Sequence, residues 1–219
     1  MSSEQLLIPA LKFLGEWSFS GNPTAFLQKI QRAMFSHPIV CHVPSLGLAI
    51  AQCYLQLGDL TSCLRYLLEA HGQIVKLNHG HESTFVTAKV SEIAFALAVT
   101  ARIEQRDPIK CLTYLKLVSV TKYRTAVTLQ TAHCLLMMNE VEAALPLFLD
   151  LAESTSDPDV VLVCARIYAT LHQLPAMCAI LNRLRSLNPN HPGIPDLEAI
   201  LHEQVDQYQV EATKLSYLR

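Results

Sequence analysis

The stretch that decides the fold is YLQLGDL, residues Tyr54 to Leu60. Gly58 separates two segments, 44–57 and 60–76, in which apolar residues recur at i, i+3, i+4 and i+7. That spacing places the apolar side chains on one face of an α-helix. Because only two or three residues join the segments, the two predicted helices must lie antiparallel to each other.

The same apolar spacing continues along the chain, and no stretch alternates with a period of two, so the sequence predicts an all-α fold. Glycine is scarce, at seven residues. The predicted helices are 4–18, 23–35, 44–57, 60–76, 84–105, 108–121, 124–138, 141–153, 158–171, 174–187 and 195–216.

YLQLGDL resembles the middle of a tetratricopeptide repeat (TPR), a helical hairpin about 34 residues long. In the TPR frame, small residues at positions 8, 20 and 27 let helices approach closely, and large residues at 11 and 24 fill the gaps beside them. A glycine usually occupies the turn at position 15. Setting Gly58 at 15 places Ala51, Tyr54, Cys63, Leu67 and Ala70 at positions 8, 11, 20, 24 and 27.

The frame recurs with starts at residues 7, 44, 92, 125 and 158, and Arg106, Asn139 and His172 stand where glycine is usual. The resemblance implies a single TPR-like domain over 1–219, a right-handed α-solenoid of about five antiparallel helix pairs plus a C-terminal capping helix. The predicted repeats are 7–40, 44–77, 92–125, 125–158 and 158–191, and the cap at 195–217 carries a polar outer face of Glu198, His202, Glu203, Asp206 and Gln207.

The period breaks once, between the frames that start at 44 and 92. This interval of 48 residues exceeds the family period by about 14. The excess falls in 72–91, which we expect to be an enlarged, exposed joint: the preceding helix runs to Lys76 or Leu77, Asn78 and Gly80 cap it, and Ser83 begins the next helix. Insertions of this kind often make a private contact, so His79 and His81 are candidate partner contacts.

The histidine-rich joint also raises the alternative of a metal-dependent enzyme using residues 79–82. His71, His79, His81 and Glu82 lie close in sequence. Zinc requires three or four ligands, however, and the H-E-x-x-H motif is absent, so an exposed polar loop without metal is favoured. Phosphate-binding loops and a G-x-S-x-G elbow are also absent, and the neighbours Cys41-His42 and His133-Cys134 point apart. The sequence predicts no enzyme activity and no cofactor.

Composition points to a protein partner. Hydrophobic residues make up 51% of the chain and charged residues 16%, against about 25% charged in a typical domain. The net charge is -2 without a basic stripe, which argues against nucleic-acid binding. Seven cysteines, mostly in apolar stretches, predict reduced thiols in a cytoplasmic or nuclear protein. The N-terminus lacks a secretory signal pattern, and the longest apolar run, 93–99, is too short to span a membrane.

The TPR resemblance implies where a partner would bind, because helix-A positions 2, 5, 9, 12 and 13 line the concave groove of that family. The cations that grip a C-terminal carboxylate in one TPR subclass are missing here. We therefore expect a non-enzymatic scaffold or adaptor in a hetero-complex, or in a homodimer, that holds an apolar peptide or helix. A secretion chaperone for hydrophobic clients is the alternative. The predicted groove residues are Leu48, Gln52, Leu55, Thr100, Ile103, Leu129, His133, Leu136, Met137, Leu162 and Arg166.

Overall fold

A computed structural model of the chain describes residues 21–36, 44–76 and 80–216, with side chains for 21–32, 46–76 and 84–210. Over these ranges the chain forms helices and short connections without a strand, which confirms the predicted all-α class. The predicted helix 4–18 lies outside them. The helices are α1 (Pro23–Ser36), α2 (Pro44–Gln56), α3 (Leu60–Lys76), α4 (Gly80–Ile103), α5 (Pro108–Leu115), α6 (Arg124–Met137), α7 (Val141–Thr155), α8 (Pro158–Thr170), α9 (Leu174–Leu187) and α10 (Ile194–Ser216).

The helices belong to two compact units, unit 1 (Met1–Val127) and unit 2 (Thr128–Arg219), with the boundary inside α6. A stack of repeats contacts only its neighbours and has no single central core. A division into two compact units does not test the predicted single repeat domain over 1–219, which stays a prediction.

In unit 1, each helix from α1 to α5 packs against the next one along the chain. Leu48 of α2, Leu67 and Ile74 of α3 and Val86 of α4 are fully or almost fully buried in one cluster. Burial of an aliphatic side chain of this size is worth about 1.5–3 kcal/mol. The α3 helix therefore forms the centre of unit 1, packed by α2 on one side and α4 on the other.

In unit 2, α7 packs on α8, α8 on α9, and α10 on both α8 and α9. Phe148 of α7, Leu181 of α9 and Leu197 of α10 lie in one buried cluster with the α8 side chains. Arg183 of α9 donates a 2.7 Å hydrogen bond to the carbonyl oxygen of Ala152, near the C-terminal end of α7. A cation at that end also interacts favourably with the helix dipole.

One backbone conformation recurs at the turns inside the helix pairs. Gly58 has φ 76°, and Arg106, Asn139 and His172 have φ 52°, 63° and 54°. All four residues occupy position 15 of their frames. The next amide then donates back to a carbonyl near the helix end: Asp59 to Tyr54 (3.0 Å), Glu140 to Leu135 (2.9 Å), Gln173 to Tyr168 (2.9 Å) and, one residue farther, Asp107 to Ala101 (2.9 Å). Such bonds close helices whose last turn ends in a left-handed residue.

The helix-packing positions of the four described frames are also alike. In the frames that start at 44, 125 and 158, position 8 holds Ala51, Ala132 and Ala165, each with no exposed surface. In the frame that starts at 92, the fully buried alanine is Ala98, at position 7. Position 20 is fully buried in all four frames, and position 24 is at most 5% exposed. These residues are Cys63, Cys111, Ala144 and Met177 at position 20, and Leu67, Leu115, Phe148 and Leu181 at position 24.

The enlarged joint expected at 72–91 is corrected by the structure. Helix α3 runs to Lys76, and α4 begins at Gly80 rather than at residue 84, so at most residues 77–79 connect the two helices. The additional residues lengthen α4 to 24 residues, against 13 in α2, or about 36 Å against about 20 Å. Val86 and Val90, in the N-terminal half of α4, are buried in the cluster that α4 shares with α3.

By length and composition alone, the Thr84–Ile103 part of α4 is apolar enough to cross a membrane. Core helices of globular proteins pass the same test when one face is buried. In unit 1, Ala94, Leu97 and Ala101 join Val86 and Val90 on the buried face of α4. The apolar character of this helix therefore has a local explanation in the packing of unit 1.

The structure also corrects the predicted end of α5. The helix stops at Leu115 and not at residue 121. The following segment is held against α4 instead. Ser91, which is fully buried, accepts a hydrogen bond from the Ser119 amide (3.2 Å), and Tyr123 stacks on Phe95 with ring centroids 5.2 Å apart. These tertiary contacts outweigh the local helical pattern in this segment.

Candidate partner-binding groove

An open groove of about 670 Å³ lies between α8 and α10 in unit 2. Three small or aliphatic side chains and four polar side chains line it. The lining residues are Arg166, Ala169 and Thr170 from α8 and Asp196, Ala199, Ile200 and Gln204 from α10.

A buried histidine fixes the chain where it enters α10. His191 is 7% exposed; its Nδ1 accepts the Gly193 amide proton (3.1 Å), and its Nε2 lies 3.0 Å from Oδ1 of Asp159 at the start of α8. Because Nδ1 accepts, Nε2 carries the ring proton and donates it to Asp159. Gly193 lets the Leu162 side chain pack close to the backbone, since a Cβ would lie 2.6 Å from a Leu162 methyl group, which would have to move. The spacing between α8 and α10 is thus set by side-chain contacts.

The rim of the groove carries one charge of each sign. The Arg166 guanidinium lies 3.9 Å from the Asp196 carboxylate, and both side chains are more than half exposed. Gln204 donates from Nε2 to the Ala169 carbonyl oxygen (2.9 Å), while its Oε1 is buried and has no hydrogen-bond partner in the described part of the chain. A loose, exposed ion pair contributes little to stability. The groove therefore has no net charge, and its Arg166–Asp196 pair can open for a ligand.

Several predicted groove residues of unit 2 lie on α6 and α8. Leu129, Leu136 and Leu162 are half-buried against the unit 2 core. His133 packs edge-on against Phe148, with ring centroids 5.2 Å apart. Met137 is 43% exposed, and Arg166 stands in the groove itself. In this unit, Arg166 and Met137 are the predicted residues with the most accessible side chains.

In unit 1, two predicted groove residues are corrected by their burial. Leu48 has no exposed surface and Gln52 only 2%. Leu48 belongs to the buried cluster of α2, α3 and α4 residues, so its side chain takes part in helix packing and is not accessible to a ligand. Leu55 and Thr100 are half-buried, whereas Ile103 is 57% exposed.

The histidine-rich stretch gives no metal geometry in the described part of the chain. The side chains of His79, His81 and Glu82 lie outside it, as does Cys41-His42. His71 Nε2 lies 2.9 Å from the Thr87 hydroxyl, a contact that joins α3 to α4. Where side chains are described, no three His, Cys, Asp or Glu residues are grouped to hold a metal ion.

The described cysteines, at 53, 63, 111, 134, 164 and 178, are free thiols, and all but Cys178 are buried. Burial raises the pKa of Cys63 to about 11, helped by the negative charge of Asp59. Burial also raises the pKa of Cys164 to about 11. Since the thiolate is the reactive form, these two groups are poor nucleophiles.

The sequence did not predict the α10 side of the groove. Asp196, Ala199, Ile200 and Gln204 fell within the segment interpreted as a polar cap. The signal was present, because Asp196, Ala199 and Ile200 share one helix face at i, i+3 and i+4. That face lies between the buried residues, such as Leu197, and the exposed ones, such as His202.

The helix pairs, the left-handed residue at position 15 and the buried positions 20 and 24 are those of a TPR-like helical repeat, and the predicted resemblance is confirmed. No known family model matches the chain, and no curated protein matches it. Among solved structures, the TPR protein YrrB, described as having an unusual peptide-binding site, is 15% identical, with a TM-score of 0.45 over 77% of this chain and 97% of YrrB. TTC0263, a TPR protein of Thermus thermophilus, is 19% identical, with a TM-score of 0.37 over 91% of this chain and 98% of TTC0263.

Proposed function

We propose that this protein is a non-enzymatic interaction scaffold that holds an apolar peptide or helix of a partner protein in the groove between α8 and α10. The observation that carries the proposal is the open groove of about 670 Å³, which Ala169, Ala199 and Ile200 help to line and in which Arg166 and Asp196 form an exposed ion pair. Concave, mostly apolar sites with few polar groups are the usual places for ligands.

The groove chemistry favours an uncharged apolar segment over an acidic tail. Asp196 balances Arg166 across the rim, so a carboxylate ligand would have to displace it. The Thr170 hydroxyl is already bonded to the Arg166 carbonyl oxygen (3.0 Å), and the Gln204 amide nitrogen to the Ala169 carbonyl oxygen (2.9 Å). Apolar contact with Ala199 and Ile200 therefore supplies the affinity, and the rim pair orients the ligand.

The free thiols support a further part of the proposal, a reducing cytoplasmic or nuclear location. Five of the six described cysteines are buried and none is paired in the described part of the chain. Unpaired cysteines in this number are typical of reducing compartments. We further propose that the partner forms a hetero-complex with this chain.

The test begins with isolation of the partner by cross-linked pull-down from the native organism, followed by calorimetric titration of the purified pair. Ala199→Trp fills the groove from an exposed position of α10, and we expect it to raise Kd at least about tenfold, or about 1.4 kcal/mol. Ile109→Trp is the matched control, because Ile109 is 70% exposed in unit 1. Equal affinities of wild type and Ala199→Trp would exclude this groove as the binding site.

A further inference from the structure

Gly72 is an unusual residue for the interior of α3. Glycine is disfavoured inside a helix relative to alanine because it loses more conformational freedom on folding. Other glycines of this chain have a local reason: Gly58 has a positive φ, a Cβ at Gly193 would overlap Leu162, and a Cβ at Gly47 would lie 3.3 Å from Ala70. Among the residues that the structure describes, a Cβ at Gly72 would meet nothing within 4 Å. The space that Gly72 leaves is therefore open to the outside.

Apolar side chains flank this space. Leu68 and Val75 are 37% and 51% exposed, although both are large hydrophobic residues in a helix whose other face is fully buried. Leu68, Gly72 and Val75 stand at i, i+4 and i+7, which puts them on one helix face. We name this surface the Gly72 notch: Leu68, Glu69, Gly72, Val75 and Lys76. A second helix crossing at Gly72 would approach more closely than the usual 8–10 Å between helix axes.

The charges of the Gly72 notch are complementary to themselves. In a two-fold symmetric pair of antiparallel helices, a residue before the symmetry axis faces a residue of the second copy that lies about as many positions after the axis. With the axis at Gly72, Leu68 faces Val75 of the second copy, and Glu69 faces Lys76 of the second copy. Both Glu69 and Lys76 are exposed. The arrangement therefore brings apolar groups together and forms two Glu–Lys pairs.

We propose that the Gly72 notch is a self-association surface at which α3 packs antiparallel on α3 of a second copy of this chain. Two crossing helices bury much less than the ~1,600 Å² of a standard stable complex, so the dimer forms with a Kd of roughly 100 µM. The surface lies in unit 1 and is independent of the groove between α8 and α10. A variant that cannot dimerise therefore keeps its affinity for the groove ligand.

Sedimentation equilibrium of the full chain, from about 5 µM to about 1 mM to bracket that expected Kd, tests the proposal. Gly72→Leu fills the notch and raises Kd at least about tenfold. Gly72→Ala raises the melting temperature, since alanine favours the helix, while it weakens the dimer. A higher melting temperature together with weaker association of Gly72→Ala shows that Gly72 serves the interface and not the stability of the monomer. Ile109→Lys, at an exposed position away from the notch, leaves Kd unchanged.

Charge exchange tests the antiparallel geometry. Glu69→Lys places two lysine pairs at the interface, and Lys76→Glu places two glutamate pairs there; each raises Kd about tenfold, because symmetry counts every pair twice. The double variant Glu69→Lys with Lys76→Glu restores both opposite-charge pairs and returns Kd to the wild-type range. A monomeric wild type up to about 1 mM, an unchanged Kd in Gly72→Leu, or a double variant as weak as the single ones overturns the proposal.

Discussion

Glycine substitution at the left-handed turns should stabilise this protein, which is the opposite of its usual effect. Arg106 and His172 hold φ of 52° and 54° at exposed positions. A non-glycine residue in this conformation costs about 1–2 kcal/mol. Glycine removes that strain but adds about 0.5–1 kcal/mol of chain entropy to the unfolded state. The expected net gain is therefore about 0.5–1 kcal/mol for each of Arg106→Gly and His172→Gly.

Two further positions provide controls. Asn139 has φ 63°, but asparagine tolerates left-handed angles through local hydrogen bonding, so Asn139→Gly should gain less than His172→Gly. Gly58→Ala imposes the strain on the turn with φ 76°, where there is open space for the methyl group, and should cost about 1 kcal/mol. The same backbone conformation thus predicts gains at Arg106 and His172, a smaller gain at Asn139 and a loss at Gly58.

The measurement is urea unfolding followed by circular dichroism, with thermal melting as a second readout. A gain of about 1 kcal/mol raises Tm by about 2–4 °C in a chain of this size. Arg106 and His172 lie in different units, so the gains should add in the double variant. Destabilisation by both single substitutions would refute the explanation from turn strain, because glycine would then act only through its entropy.

Three other predictions follow from single groups. Gln52→Met should raise stability by about 1 kcal/mol in urea unfolding, because Oε1 of Gln52 is buried without a partner among the described residues and Met removes that polar atom at similar volume. A loss of stability would show that the amide is needed. Asp59 accepts the Ser62 amide proton (3.0 Å), and this hydrogen bond lowers the pKa of its carboxyl. The stabilisation by Asp59 is therefore present above about pH 4 and is lost as pH falls through the lowered pKa. Asp59→Ala should reduce Tm at about pH 7 but not at about pH 2. Asp59→Asn keeps the cap without a titrating group, so the difference between its Tm at about pH 7 and at about pH 2 should be smaller than in the wild type. In a Cys41→Ser background, Cys178 should react with a disulfide reagent at about pH 8 before Cys63. Cys63 is buried, and its pKa of about 11 keeps its thiol almost entirely protonated at this pH. Faster labelling of Cys63, measured by mass spectrometry, would contradict this prediction.

Helix positions were predictable from the sequence where local signals agreed with packing. Asp107-Pro108 and Asp157-Pro158 each begin a helix as the sequence predicts, since the aspartate side chain accepts an amide proton and proline fits the first helical position. The inaccurate boundary at Leu115 depends on a residue distant in sequence, because Ser91 of α4 holds the segment after α5. At the start of α4, the helix begins at Gly80, so the predicted first residue, Ser83, lies inside it.

The candidate site was less predictable, because a position in a repeat frame does not specify what covers it. Leu48 and Leu162 hold equivalent positions on helix A, yet Leu48 is fully buried in the cluster of unit 1, whereas Leu162 is half-buried. The groove also depends on the entry of α10, which His191 and Gly193 fix through contacts with α8. Matching the sequence to one repeat frame at a time does not include the contacts between α8 and α10, so it does not predict the groove between them.

The left-handed turns also make the local integrity of the helix pairs observable one pair at a time. The amides of Glu140 and Gln173 reach the carbonyl oxygens of Leu135 and Tyr168 only while Asn139 and His172 keep positive φ. Strained backbone of this kind persists when the surrounding packing over-determines it. Hydrogen exchange at Glu140 and Gln173 therefore reports whether each hairpin is packed. Loss of protection at one amide and not at the other would locate an opening within unit 2 to a single hairpin.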